Sequence, residues 1–471
     1  MRRVDGKDAI FLYMETANVH QHVTFAGVFD PSTIPGGLQH PREIHQRVRD
    51  LIANRLHLFP PFRQRLVEVP LALDHPMFIE DPNFDLDFHV RRAALPAPGG
   101  ARELAEYVGQ LHSRPMDRNH PFWEIHVVEG IEDGRWAMVG KAHHVIIDGV
   151  GGSEMMIHLF DLAPEPRQID PPEGTWVAED IPSDVKLLGK AVISNLVSPP
   201  KLLRTAASTA GTLAGVVKDR VTSKAEEGSI ATLGPHTLLN EPVGPHRQVA
   251  FGKVSLAELK TIKAAFDVKL NDVVLAISGR ALRAFLREHG DDPDKSLVAA
   301  CPISIRVEGD DSVGNQVAGM TVPLADIEDD PVDQLRAIQR VTGKAKERLG
   351  ALTADLMRDW TQHATPAIAV QAFRFYSQLG LQKRHPPLAN LTISNVPGPP
   401  IPLYVAGSQM QSMYPLGPLV HGQGLNITLV SYLDTMFIGL VACRDTVPDV
   451  WPLISAWEKA MGELLEAAEH A

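Results

Sequence analysis

The chain has 471 residues, 44% of them apolar and 22% charged, and 45 basic side chains against 57 acidic ones give a net charge of −12. That length and apolar content suit two domains with sizeable cores. The acidic balance argues against nucleic-acid binding, which needs a basic face, and against adhesion to anionic lipid by net charge.

Residues 1–165 read as a first α/β unit. Glu43 to Leu58 and Leu104 to Leu111 carry helical spacing. Trp123 to Val128 and Trp136 to Ala142 read as strands, and Ser153 to Leu162 as a helix after a glycine turn. Residues 166–246 read as a linker with a helical crossover. The stretch Ala163 to Ser183 holds five prolines among acidic and polar residues, a linker composition. Two apolar helical segments follow, split by Pro199-Pro200, with Lys186, Lys190, Lys201, Arg204, Lys218 and Arg220 at their ends. This segment, 186–220, is a candidate for lying on a lipid surface; an interdomain crossover is the plainer reading. Thr205 to Val217 is too short and too rich in Thr, Ser and Gly to span a bilayer.

Residues 247–471 read as a second α/β unit. Gln248 to Val254 alternates like a strand and Ser255 to Phe266 is helical. Asn271 or Asp272 can cap a helix that stops at Gly290. Leu297 to Ile305, Leu391 to Ser394, Leu425 to Leu433 and Met436 to Ala442 read as strands. Pro331 to Leu349, Asp355 to Leu379 and Val450 to Glu469 read as helices. Cys301 and Cys443 stand far apart with no CxxC spacing, which fits a reducing compartment. Charges run through the N-terminal residues where a secretion signal needs its apolar core. The expectation is a cytoplasmic protein, with peripheral contact to a membrane or lipid droplet left open.

The richest segment for chemistry is His143-His144-Val145-Ile146-Ile147-Asp148-Gly149. It follows the apolar run Trp136 to Val139 and precedes Gly151-Gly152, so the histidines fall where a strand ends and a helix begins. Imidazole exchanges a proton near neutral pH and can serve as a general base. A metal site needs further ligands, and His126 and His158 fit no standard spacing, so no metal is expected. No GxSxG elbow, P-loop or dinucleotide fingerprint occurs. A lone base without its own nucleophile suits acyl transfer from a thioester to an alcohol. The alcohol must lose a proton it holds tightly, while a thiol of pKa about 8.5 leaves readily.

The motif HHxxxDG resembles that of the coenzyme-A-dependent acyltransferase superfamily, which includes chloramphenicol acetyltransferase. The chain as a whole resembles the bacterial wax ester synthase/diacylglycerol acyltransferase family. The matching stretches are Asp81-Pro82-Asn83-Phe84-Asp85-Leu86 with His89-Val90, Pro121-Phe122-Trp123-Glu124, and Asn271-Asp272-Val273. Further on come Pro302-Ile303-Ser304-Ile305-Arg306 with Gly314-Asn315, and Ser394-Asn395-Val396-Pro397-Gly398-Pro399. Phe122 replaces the family's usual leucine. The resemblance implies an α/β fold of two chloramphenicol-acetyltransferase-like domains with the active site at their interface. It implies long-chain acyl-coenzyme A as co-substrate, a diacylglycerol or fatty alcohol as acceptor, and no other cofactor. His144 would be the base and His143 would support its turn.

Three readings of Asp148 stand together: a partner to the histidine, a helix cap, or, as the superfamily implies, a buried ion pair with an arginine, for which Arg306 is the candidate. Gly149 allows a close turn. Asn271 and Asp272 read as anchoring a helix that faces the site. Ser394 and Asn395 are candidates to donate to the oxyanion or thioester, or simply form a turn. Trp123 reads as core. The alternative function is a lipid-binding or carrier-protein-dependent relative that does not turn over acyl-coenzyme A.

Overall fold

The computed structural model describes residues 1–38, 40, 42–147, 155–172, 174, 176–196, 233–304, 317–343 and 386–471. Strands β1 (Arg2–Arg3), β3 (Gln64–Val67) and β4 (Met77–Glu80) form a small antiparallel sheet in the order β1-β4-β3. A first large sheet runs β12-β13-β2-β7-β6-β5. Its members are β2 (His22–Asp30), β5 (Val90–Ala94), β6 (Trp123–Glu129), β7 (Trp136–His143), β12 (Tyr404–Val405) and β13 (Ser408–Leu416). A second runs β10-β9-β11-β14-β15-β8. It holds β8 (Arg247–Ser255), β9 (Val298–Ser304), β10 (Val317–Pro323), β11 (Leu391–Val396), β14 (Leu425–Tyr432) and β15 (Thr435–Cys443).

The apolar run that leads to the paired histidines becomes β7, a central strand buried along its whole length. Pairing is mostly antiparallel; β5–β6, β11–β9 and β11–β14 are parallel. Two strands from the second half of the chain, β12 and β13, complete the first sheet, with β13 antiparallel to β2. The helix Ala101–Ser113 sits between the two large sheets. Its Leu104, Val108 and Leu111 share one buried cluster with Val128 and Val139 of the first sheet and Val249, Phe251 and Val441 of the second. The Ser113 hydroxyl accepts the Arg247 N–H at 2.9 Å, which ties the start of β8 to the end of that helix.

The helix expected after Asn271 or Asp272 begins ahead of both, as Leu270–Glu288, so neither residue is its cap. The acid acts from the third helical position instead. Asp272 Oδ2 reaches back to accept the Lys269 N–H at 3.0 Å, one half of a capping box. Its Oδ1 accepts the Thr342 hydroxyl at 2.7 Å. Gly290, with φ +75°, follows the helix where the sequence expected a stop. Both cysteines are free and buried.

The sheets approach closely where β15 passes β13. A methyl added at Gly439 would stand 1.8 Å from the Pro415 carbonyl oxygen, so no side chain fits without moving a strand. Gly439→Ala should therefore cost about 1–3 kcal/mol, the usual range for overpacking, measured as a lower urea midpoint with unchanged slope.

Candidate active site

Strand β7 ends at His143, and the backbone then turns through residues 144–146. Four hydrogen bonds pin this turn. His143 N–H donates to Phe122 O at 3.1 Å, and His144 N–H to Gln21 O at 2.9 Å. Ile146 N–H donates to His143 O at 3.0 Å. Val145 N–H donates to the His143 ring at Nδ1, also at 3.0 Å. An accepting Nδ1 carries no proton, so the His143 proton sits on Nε2. That nitrogen stands 3.2 Å from Glu15 Oε1, outside good hydrogen-bond alignment.

Glu15 is held from its other sides as well. Its Oε1 accepts the Gln21 N–H at 3.0 Å and its Oε2 accepts from Arg118 at 2.8 Å. Burial pushes its carboxyl up, but His143, the Gln21 N–H and Arg118 outweigh burial and lower it to about 2. It is a carboxylate at any physiological pH.

The His144 ring is half-buried and stacks on Phe11 with centroids 4.4 Å apart and planes 11° from parallel. Its Nδ1 is buried with no hydrogen-bond partner among the described residues. Burial lowers its pKa to about 4, with the neighbouring His143 adding to the effect and the Ile147 backbone opposing it. The ring is therefore neutral at pH 7, the form a base requires.

The helix Gly6–Tyr13 carries Phe11 over this ring. Gln21 Nε2 donates to Leu419 O at 3.3 Å, and Gln423 Oε1 accepts the Thr392 hydroxyl of β11 at 2.9 Å. Residues 417–424 thus bridge from the histidine turn to β11. Ser394 and Asn395 lie further along that strand, opposite Thr428 and Leu429, and both are half-buried. No described hydrogen bond joins Ser394, Asn395, Asn271 or Asp272 to His144. Asp148, Gly149 and Arg306 lie outside the described residues, as does most of 186–220. The described residues hold a different buried ion pair. Arg55 Nη2 meets both oxygens of Asp161 at 2.7 and 2.8 Å, and Arg55 Nη1 bonds His158 O and Leu159 O at 3.2 and 3.1 Å. That pair anchors the end of the segment that leaves the histidine motif. Trp123 is core: its ring stacks between Phe62 and His89, and its indole N–H donates to Phe62 O at 2.9 Å.

Phe11, Glu15, Gln21, Arg118 and Gln423 escaped the sequence reading. None belongs to a local motif; Phe11, Glu15 and Gln21 meet the histidines directly, Arg118 reaches them through Glu15, and Gln423 is bonded to Thr392. Of two large cavities among the described residues, about 950 and 1020 Å³, neither is lined by His144.

A family model for the wax ester synthase/diacylglycerol acyltransferase catalytic domain matches residues 4–274, and one for the C-terminal domain of the same family matches residues 313–465. The chain belongs to this family. A Mycobacterium tuberculosis H37Rv protein provisionally named a diacylglycerol O-acyltransferase is 36% identical over 473 residues, covering 100% of this chain and 91% of its own. The solved wax ester synthase/diacylglycerol acyltransferase from Marinobacter aquaeolei VT8 is 27% identical, with a TM-score of 0.71 over 99% of this chain and 100% of that one. A trichothecene 15-O-acetyltransferase from Fusarium sporotrichioides, 13% identical, shares the fold alone, at a TM-score of 0.57 over 99% of this chain and 94% of its own. As a member of the family, the chain is an acyltransferase of two-domain α/β architecture.

Burial sets a pH limit on stability. It lowers His20, His89 and His144 to about 4, and His22 and His112 well below their ordinary value. The unfolded chain takes up these protons below about pH 6.5 while the folded one refuses them until much lower. Stability is thus full above that pH and is lost as pH falls toward 4. Glu15, lowered to about 2, adds a further loss once pH drops below its ordinary value of 4.5. Thermal unfolding should show a level midpoint from pH 8 to 7 and a steady fall from pH 6.5 downward.

Proposed function

We propose that this chain moves a long-chain fatty acyl group from coenzyme A to a lipid hydroxyl, with His144 as the base. A diacylglycerol acceptor gives a triacylglycerol, and a fatty alcohol gives a wax ester. The observation that carries the reading is the His144 ring: neutral, half-buried, stacked on Phe11 and set at the end of β7 in a chain of this family.

With Nδ1 buried, substrate reaches the ring from its Nε2 edge. That nitrogen takes the hydroxyl proton as the oxygen attacks the thioester carbonyl. The tetrahedral adduct collapses, the carbon–sulfur bond breaks, and the imidazolium returns the proton to the departing thiolate. The products are an ester and free coenzyme A. His143 holds the turn rather than touching substrate. Ser394 and Asn395 are proposed donors to the oxyanion or thioester. Asp148, Gly149 and Arg306 are proposed to hold the shape of the site, and Asn271 and Asp272 to anchor the helix Leu270–Glu288 beside it. The chemistry calls for no metal or prosthetic group.

The proposed setting is cytoplasmic, with contact to a membrane or lipid-droplet surface. No helix among the described residues is long and apolar enough to cross a membrane. Val177, Ile181 and Val185 are exposed just before the exposed Lys186 and Lys190, a combination that supports peripheral contact.

Purified protein should release thiol from palmitoyl-coenzyme A when given diolein or hexadecanol, and product analysis of a mixed reaction reads the acceptor preference. His144→Ala should lose about 10²–10⁴ in rate, the usual worth of a general base, while keeping its melting temperature. A folded His144→Ala protein at full rate, or binding of acyl-coenzyme A with no turnover on any acceptor, overturns the reading. The rate should also stay level from pH 8 to 6. A base with the ordinary histidine pKa of about 6.5 would lose roughly three quarters of its active form by pH 6.

A further inference from the structure

We infer that Glu15 is a positioning residue for the transfer: acting through His143 and Gln21, its carboxylate selects the turn geometry that presents His144. The inference rests on His144 being the base.

A neutral imidazole has two tautomers, and its surroundings choose between them. Val145 N–H points at His143 Nδ1 from 3.0 Å, which only the Nε2–H form can accept. On the far side of the same ring, Glu15 Oε1 faces Nε2 from 3.2 Å. A carboxylate accepts and never donates. It therefore favours a proton at Nε2 and opposes a bare nitrogen there. The alternative tautomer would set two N–H donors against each other at Val145 and a lone pair against a carboxylate at Glu15. Both ends of the ring thus enforce one form, and that form closes the turn.

The second route is shorter. Glu15 Oε1 also accepts the Gln21 N–H at 3.0 Å, and the carbonyl of the same Gln21 accepts the His144 N–H at 2.9 Å. The residue that the carboxylate holds by its amide holds the base by its carbonyl. Arg118, bonded to Oε2 at 2.8 Å, keeps the carboxylate from rotating out of this arrangement. The His143–Glu15 contact is imperfectly aligned, which is common for catalytic hydrogen bonds that tighten only when substrates bind.

Glu15→Gln keeps the shape of the side chain and removes the charge. Its amide can satisfy His143 and Gln21 only by turning its NH₂ toward the Arg118 guanidinium; flipped, it donates to His143 Nε2 and drives the wrong tautomer. The expected result is a kcat lower by about 10–100-fold, the scale of removing an outer hydrogen-bond partner that supports a site's histidines, with KM for both substrates within about threefold. Glu15→Asp, which keeps the charge, should recover part of the loss. Adding Glu15→Gln to His143→Ala should cost less than the two losses summed, because both act on one turn while the Gln21 route survives the loss of His143. Wild-type kcat in Glu15→Gln, or losses that simply add, would overturn the assignment. If Glu15→Gln does not fold, nitrogen-15 NMR of the unaltered protein decides: a His143 proton on Nδ1 overturns it, one on Nε2 upholds it. His144→Ala is assayed beside these variants. A fully active His144→Ala sinks the base itself, whereas an inactive one with an unaffected Glu15→Gln sinks only the role of Glu15.

Discussion

The pairing of β13 with β2 is the constraint on which the rest of the molecule depends. These strands come from opposite ends of the chain, and their register sets Leu416 against Thr24. The register of β2 with β7 in turn sets His22 against His143. The two registers together place residues 417–424, the segment around Gln21 and the paired histidines side by side. A shift of one residue in either would turn the outward side chains inward and separate the three segments. The site is thus a product of sheet registry, with the helix Gly6–Tyr13 laid over it through the stacking of Phe11 on His144.

Behind the histidines the sheet face is polar yet buried, and its groups are largely bonded off. Thr24 and Lys141 stand opposite each other two residues along from the His22–His143 pair, so all four share a face. Lys141 is 2% exposed and donates to Leu111 O and Arg114 O at 3.0 and 2.6 Å, at the end of the helix Ala101–Ser113 where carbonyls lack partners. Burial lowers it to about 8, with Glu124 opposing. The Thr24 hydroxyl meets His112 Nδ1 at 2.9 Å, and His22 Nε2 meets His112 O at 2.8 Å. A face bonded in this way cannot slide, because any slip would strand buried polar groups. It is a stiff backing for the ring proposed as the base.

Much of this was legible from residues that act locally. Trp136 to Ala142 read as a strand because the apolar run Trp136 to Val139, set between turn signals, has few other homes, and the strand runs one residue further, to His143. The stop at Gly290 read correctly because glycine alone accepts that backbone angle cheaply. The cap at Asn271 or Asp272 was misplaced because an acid can serve a helix end from the cap or from three residues inside it, and composition does not distinguish them. Strands β2 and β13 went unread. β13 carries serines, glutamines and a proline and is irregular between Met410 and Ser412, so its alternation is blurred. Its identity comes from a partner at the other end of the chain, which no local window contains. Glu15 was illegible for the same reason: its neighbours in space are residues 118 and 143, and its neighbours in sequence give no hint of them.

The late arrival of β13 also bears on how the molecule is made. While the ribosome is still building the second half, β2 has β7 on one side and nothing on the other, an open edge of the kind that invites pairing with foreign chains. Until residue 416 has emerged, that edge of the first half has no native partner. Cutting the gene between the two halves should for that reason yield two sticky fragments rather than two working modules.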